Sequence, residues 1–525
     1  MAWLAEIRKT LCVSACALLF AEGACGATRP QYGGVLRVAV RAPAITLNPR
    51  RWKAGSADFA TNQRLAELVF DRLVALDNYG RFQPQLATQW SRDGAAKRWQ
   101  FTLRQGVRFS DGTLCGPFDV AAALQPMLPN GVRISAVANG VVIQSANAMG
   151  DLLEMLASGP LFIYRNDEKG TLVGTGPFVL ETDSTKLQPA SEKNSSDGAA
   201  SSSQRLRFRS NELSWSGRPF VDTVDVTLGV PPQRALLDLQ LGKTDLAELS
   251  EDTARRAQQA NVKVWASSPL TLYAVKFAAH AKSESERTLR EALAWSLDRN
   301  AMAGVLLQKQ AEPASSFLPQ WVSGYAFLFD LMDDREAVNM KNNLERAKEL
   351  RARLPASAVG AAQPLRVGLD ANNELAKLIG ERVAVNARAA GLMLQVTLWG
   401  SARPGGDGAA AKAESEAQLV AWRYGSLSPR EDLETIAVTW RWKIPEGGVP
   451  ADAEARYAWE KQMMDERDIL PLVAVPDFAA LDLRVRNWAP SPWGEWRLAD
   501  VWLDAIEPAP SARGAQGKSA GGAKP

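Results

Sequence analysis

Residues Val107 to Val120 read VRFSDGTLCGPFDV, a turn with ordered elements expected on both sides. Ser110-Asp111-Gly112-Thr113 is turn chemistry, because an Asp carboxylate bonds nearby backbone N–H groups and Gly accepts the positive φ such a turn needs. Just upstream, Arg98 to Leu103 (RWQFTL) alternates apolar and polar residues and stops before Gly106, which predicts a strand of a mostly antiparallel sheet. Just downstream, a helix is expected from Asp119, cut short by Pro126 and Pro129. Further out, Gly34 to Val40 reads as a buried strand. Leu65, Leu68 and Val69 fall at helical spacing within Asn62 to Phe70, a helix placed to cover that strand.

Beyond the turn, Gly174-Thr175-Gly176-Pro177 reads as a structural turn in which glycine supplies unusual φ and proline fixes the next step. Thr182 to Gln204 is rich in Ser, Asn, Gly and Ala and reads as a surface insertion. A strand is expected within Val221 to Val230, a helix over Gln233 to Leu241 ending at Gly242, and a strand within Asn261 to Val275. A long helix from Glu286 to Gln308 follows, then helices over Asn343 to Leu354 and Glu374 to Ala390. Leu365 to Leu369, Leu392 to Trp399 and Leu419 to Tyr424 read as strands, Ser401 to Glu414 as a Gly/Ala-rich loop, and Ala453 to Asp468 as a helix entering Ile469-Leu470-Pro471-Leu472.

Several of these stretches together resemble the bacterial extracellular solute-binding proteins of family 5, the oligopeptide, dipeptide and nickel type that feed ABC importers. The quoted stretch Val107 to Val120 is one such block. The others are YGGVLRV at Tyr32 to Val38, LVFDRLV at Leu68 to Val74 with PQLA at Pro84 to Ala87 and Trp90, GTGPF at Gly174 to Phe178, LREALAWSLDR at Leu289 to Arg299, and ILPL at Ile469 to Leu472. The resemblance implies an α/β fold of two lobes, a type II, cluster C-like periplasmic-binding-protein fold with an extra subdomain in the first lobe. It places the first lobe at residues 28–270 with the subdomain at about 56–170, the second at 271–479, and a return to the first at 480–506. It implies clamshell closure about two crossover segments, near Ser267 to Thr271 and Val475 to Asp482. The segment between about residues 125 and 170 is short for the family.

Composition is that of a folded globular protein. Of 525 residues, 46% are hydrophobic and 23% charged, typical of a globular chain with two or three domains. The formal charge is +3 and no run of five Lys or Arg occurs, so no nucleic-acid partner is expected. Residues 1–27 read as a signal peptide: Arg8 and Lys9, an apolar run Leu11 to Ala21, then small residues around Ala24 to Ala27. Val13-Ser14-Ala15-Cys16 lies inside the apolar run, so a lipid anchor at Cys16 is not favoured, nor one at Cys25. Of four Cys only Cys115 lies beyond that segment, so no intrachain disulfide can form once it is removed. Residues 507–525 read as a disordered tail.

Signals for catalysis are poor. The single histidine, His280, sits in AAHAKSESE without a partner motif, and Gly517 to Gly521 matches G-x-S-x-G only within the low-complexity tail. One His and one remaining Cys exclude imidazole or thiolate metal clusters, and neither metal nor cofactor is expected. In peptide-binding relatives an acidic residue in a loop after a Trp-containing strand pairs with the ligand amine. That block resembles Val420 to Pro429 here, where the acid is not kept and Arg423 or Tyr424 stands nearby; Glu431 and Asp432 are candidate substitutes. Arg423, with five donors and no acceptor, suits a carboxylate, phosphate or sugar hydroxyl better than an ammonium, or else points to solvent. Trp399, Trp422, Trp440 and Trp442 are candidate cleft walls, with core packing the alternative for each. Asn48 either contacts ligand or caps a turn. The expected function is an extracytoplasmic receptor for a peptide or peptide-like solute, a monomer that hands it to an ABC permease. The rivals are an orphan or sensory binding protein of the same fold and a secreted hydrolase.

Overall fold

The computed structural model describes residues 29–53, 56, 58–181, 204–323, 340–399 and 415–504. The expected signal peptide, the tail, the Ser401 to Glu414 loop and nearly all of the Thr182 to Gln204 insertion lie outside these. One mixed sheet runs through the molecule. Its strands are β1 (Val35–Ala39), β2 (Phe178–Leu180), β3 (Arg205–Ser210), β4 (Thr223–Thr227), β5 (Leu246–Leu249), β6 (Lys263–Phe277), β7 (Leu365–Asp370), β8 (Leu394–Trp399), β9 (Ala417–Arg423) and β10 (Ile469–Leu481). The spatial order is β2-β3-β4-β1-β5-β10-β6-β9-β7-β8, with Glu312–Pro313 added to β10.

Two of these strands are far longer than the rest and they join two half-sheets. At one end Phe478–Leu481 of β10 pairs with both β5 and Lys263–Ala266 of β6. At the other, Thr271–Phe277 of β6 pairs with β9 while Ile469–Pro476 of β10 runs alongside. Between the halves the register slips twice, between Ala266 and Pro269 and again between Pro269 and Thr271, opposite Pro476. Such irregularities leave backbone groups unpaired and bend the ribbon, so the two halves are joined at its least regular part. Each half is an α/β layer: β1 is parallel to β4 and β5, and β7 is parallel to β8 and β9. Helix α1 (Phe59–Val69) buries Leu65, Leu68 and Val69 against the first half, in one core with Leu36, Val38, Phe208 and Trp496.

A separate antiparallel sheet, Ala87–Arg92, Arg98–Leu103, Gly140–Gln144 and Arg133–Val137 in that spatial order, has its own core of Leu73, Phe101, Leu124, Val141 and Ile163. The RWQFTL strand alternates as read, burying Trp99, Phe101 and Leu103. After it, Gly112 takes φ +88 and Asp111 Oδ1 accepts from Thr113 N at 3.0 Å, while the helix, α2, spans Pro117–Leu124. This unit is tied to the first half by Asp71, whose carboxylate accepts from Thr175 Oγ1 (2.7 Å), Trp215 Nε1 (2.8 Å) and Gln85 Nε2 (3.0 Å).

Two local expectations change. The glycines of Gly174-Thr175-Gly176 are needed for close approach rather than for φ. A Cβ on Gly174 would lie 2.1 Å from Val69 O and one on Gly176 2.6 Å from Val69 C, where the turn packs onto the end of α1. The long helix from Glu286 to Gln308 is broken. Helix α3 (Glu284–Ser296) stops as Leu297 turns extended, and Asp298 then accepts from Ala301 N at 2.8 Å to start a new turn that runs into a short π-helix, Met302–Leu306. Apolar periodicity persists across the break, which is why the sequence reads as continuous. Helix α4 (Glu374–Ala389) covers β7 and β9.

Candidate functional site

A cavity of about 700 Å³ opens where the half-sheets meet. Its first wall is built from the carboxyl ends of the parallel strands β1, β4 and β5: Arg41–Ala44, Gly229–Pro232 and Glu248 to Glu251, with Asp58–Thr61 at the start of α1. The second wall is Thr271 and Tyr273 of β6, Asp370 to Asn373 after β7, and Ala421 and Arg423 of β9. Val475 to Phe478 of β10 forms the floor. Ligand crevices of open α/β sheets lie at the carboxyl ends of strands, because loops and helix starts there leave polar groups free to converge.

The floor carries a charge network that ties the walls together. Asp477 accepts from Arg423 Nη1 at 2.6 Å and pairs with Arg64 Nη2 of α1. Arg64 also reaches Glu248 Oε1 at 3.2 Å and donates to Gly494 O at 2.9 Å. Arg64 and Arg423 are both buried. Burial pushes the Asp477 carboxyl up, but Arg423 and Arg64 outweigh it and hold it below the usual carboxylate range. Asp477 N also donates to Ser267 Oγ at 2.8 Å, so the network sits on the slipped part of the crossing strands.

Of the residues singled out from sequence, Arg423 alone lines the cavity, and its charge is already matched by Asp477. Its side chain does not point to solvent, and it is not a free anchor for an anionic ligand. Trp422, Tyr424, Trp440 and Trp442 are buried in a core with Phe317 and Leu433, where the rings of Phe317, Trp422 and Trp442 meet Trp440 edge-on at 5.6–5.8 Å. The Tyr424 hydroxyl donates to Phe317 O at 2.8 Å. Alternation along β9 puts Ala421 and Arg423 on the cavity side and Trp422 on the core side, which a run of apolar residues does not declare. Trp399 is half-buried against the core around Ile379 and does not line the cavity. Asn48 caps a turn, accepting from Arg50 N at 3.1 Å.

The loop after β9 also differs from expectation. Asp432 is not a substitute amine anchor, since it is buried and accepts from Gly425 N (3.0 Å) and Ser426 N (3.2 Å). The loop is pinned to the antiparallel unit instead: Leu427 N donates to Ser158 Oγ at 2.9 Å, Arg430 pairs with Asp151 at 3.0 Å, and Ser428 Oγ donates to Asp151. Sequence reasoning missed Arg41, Asp58, Glu248, Glu251, Asp370 and Asp477. The one available signal was position: Arg41 and Asp370 directly follow expected strands and Asp477 lies in an expected crossover, whereas nothing in the sequence singled out Asp58, Glu248 or Glu251.

Residues 81–442 match the family model described as bacterial extracellular solute-binding proteins, family 5 Middle. The chain belongs to this family. The nickel-binding periplasmic protein of Escherichia coli (strain K12) is 26% identical over 277 residues, 46% of this chain and 49% of that one. Protein XP55 of Streptomyces lividans is 25% identical over 275 residues, 48% and 47% of the two chains. This chain thus spans about half the length of the curated relatives it matches. Solved structures match more fully. The murein tripeptide binding protein MppA of E. coli superposes with a TM-score of 0.70 at 17% identity, covering 90% of this chain and 99% of that one. The dipeptide binding protein of Pseudoalteromonas sp. SM9913, in complex with Met-Leu, gives 0.68 at 16% identity, covering 90% and 100%. The fold is therefore the two-lobed type II one, with the half-sheets as the cores of the lobes and the cavity as the cleft between them. Among the described residues no helix is long and apolar enough to cross a membrane.

Proposed function

We propose that this protein is an extracytoplasmic receptor that captures a peptide or peptide-like solute between its lobes and hands it to the permease of an ABC importer. It acts as a monomer, is exported by residues 1–27, and does no chemistry on its cargo. The lobes are residues 28–270, with the inserted unit at about 56–170, and 271–479, with 480–506 returning to the first. The observation that carries this reading is the placement of the cavity, whose two walls come from different half-sheets joined by two strands. A solute that touches both walls binds the closed arrangement better than the open one and so shifts the population towards it. Micromolar affinity needs only about −8 kcal/mol, which a few shielded hydrogen bonds and apolar contacts supply after the costs of ordering.

The test is to mix the chain from residue 28 onward with a di- to pentapeptide library, then measure its melting temperature and its radius of gyration by small-angle scattering. Ligand at a hundred times its dissociation constant adds about 2.7 kcal/mol of stability. A higher melting temperature, a smaller radius and intact peptide recovered from the complex are expected. No shift with any member, or cleaved peptide, overturns the reading.

A further inference from the structure

We infer that the loop after β9 and the antiparallel unit form a latch that holds the two lobes together, fastened at Asp151 and released when Glu431 ionises. The inference rests on the two-lobed fold and is independent of what the cleft binds. The strands β6 and β10 cross between the half-sheets, and their register slips between Ala266 and Thr271. The latch is a further tie, made of side-chain contacts, and so it can open while the crossing strands stay paired.

On the side of the second lobe the latch is the start of helix α5 (Pro429–Thr439), whose N-cap Ser428 accepts from Glu431 N at 3.2 Å. On the other side Asp151 and Ser158 flank the helix Leu152–Ala157, which buries Leu152, Met155 and Leu156 in the core of the antiparallel unit. Arg430 meets Asp151 through two nitrogens, Nε to Oδ2 at 3.2 Å and Nη2 to Oδ1 at 3.0 Å, and both side chains are largely buried. Such forked, charge-assisted pairs are among the stronger polar contacts. Asp151 also accepts from the Ser428 hydroxyl, which sets its negative charge at the positive end of α5. Leu427 N donates to Ser158 Oγ at 2.9 Å while the Leu427 side chain packs on the core of the unit. The backbones approach closely here, since a Cβ on Gly159 would lie 3.2 Å from Gly425 O.

Glu431 stands at the same junction and is half-buried. Around it are Asp151 of the antiparallel unit, with Glu154 beyond, Ser426 of the loop, and Arg430, Asp432 and Glu434 of its own helix. The one cation among them, Arg430, is already taken by Asp151. Burial pushes the Glu431 carboxyl up to about 7, with Asp151 and Glu434 adding to the rise and Ser426 and Arg430 opposing it. The latched form therefore holds a proton that Glu431 gives up once the latch opens and water reaches it. The sign follows: latching is favoured below about pH 7 and weakens as pH rises through that value.

The experiment follows hydrogen exchange over Gly425 to Ser428, which reads latch opening, beside small-angle scattering, which reads lobe separation. It uses the chain from residue 28 onward, unaltered and as Asp151→Asn, Arg430→Gln, the double variant and Glu431→Gln. Either break of the ion pair is expected to speed exchange in that segment roughly ten- to hundredfold and to enlarge the radius of gyration, with exchange in β3 and β4 unchanged. The double variant should add little to either single one. Between pH 6 and 8, exchange in the unaltered chain, corrected for its intrinsic rate, should rise about tenfold, and Glu431→Gln should remove that rise. Faster exchange with an unchanged radius would make the contact a local one and overturn the latch, and additive effects of the two breaks would overturn Asp151 as its fastener. A flat pH profile, or a rise that survives Glu431→Gln, would overturn release by Glu431, and the flat profile is read on the unaltered chain, where no variant has to fold. No ligand enters these measurements, so the receptor reading keeps its own separate test.

Discussion

Two cavities of this molecule have the same volume, about 700 Å³, and very different construction. The interlobe cleft is assembled from strands β1, β4, β5, β6, β7, β9 and β10, and its floor is an ion network of side chains with little exposure. The other lies within one lobe, beside His280, Trp459, Arg441 and Glu466, with the His280 and Glu466 side chains 59% and 50% exposed and only Asp468, paired with Arg290, buried among its acids. Volume alone would rank them together. Desolvation separates them, because only a shielded polar group discriminates between a ligand that satisfies it and one that does not.

The sharpest way to break this contrast is to fill the cleft. Ala421 lies on the exposed, cavity-facing side of β9, so Ala421→Trp should abolish peptide binding, by more than about a hundredfold, with little change in melting temperature. Calorimetry beside a thermal melt checks this, and retained affinity would mean the ligand sits elsewhere. Next in size is Asp477→Asn, which removes the ion-pair partner of buried Arg423 and leaves Arg64 with Glu248 alone. Removing one member of a buried ion set costs about 3 kcal/mol, read by denaturant unfolding, and binding should weaken as the walls lose their shared anchor.

The same residue predicts a pH dependence. The Asp477 carboxyl is held low in the folded chain. Its stabilisation is therefore complete above the unfolded carboxylate value of about 4 and is lost as pH falls through the lower folded value. Melting curves between pH 3 and 7 should show the unaltered chain losing stability at the acid end and Asp477→Asn losing less. The smallest effect is expected at the second cavity: His280→Ala should alter peptide affinity by less than about twofold, as exposed charges do. A large effect there would erase the distinction between the two cavities.

Much of the scaffold was legible. The RWQFTL strand, the S-D-G-T turn, the helix covering β1 and the strand within Asn261 to Val275 follow from local periodicity and turn chemistry, which depend on neighbours within a few residues. The site was not. Trp422, Tyr424 and Arg423 are adjacent in sequence, but strand alternation and a turn send the first two into a core and the third to the cleft floor. The Glu286 to Gln308 helix was over-read for a related reason: the cap at Asp298 breaks the backbone without interrupting the apolar pattern.

By itself, then, the sequence determined the family and the two-lobed α/β plan, since these rest on residue order. Only the tertiary structure decided which charges are already matched. Arg64 and Asp477 lie 413 positions apart and yet share a proton donor and acceptor across the cleft floor. Coulomb attraction and desolvation depend on distance in space, so whether Arg423 recruits a ligand or neutralises a neighbour is settled only once the crossing strands bring the two lobes together.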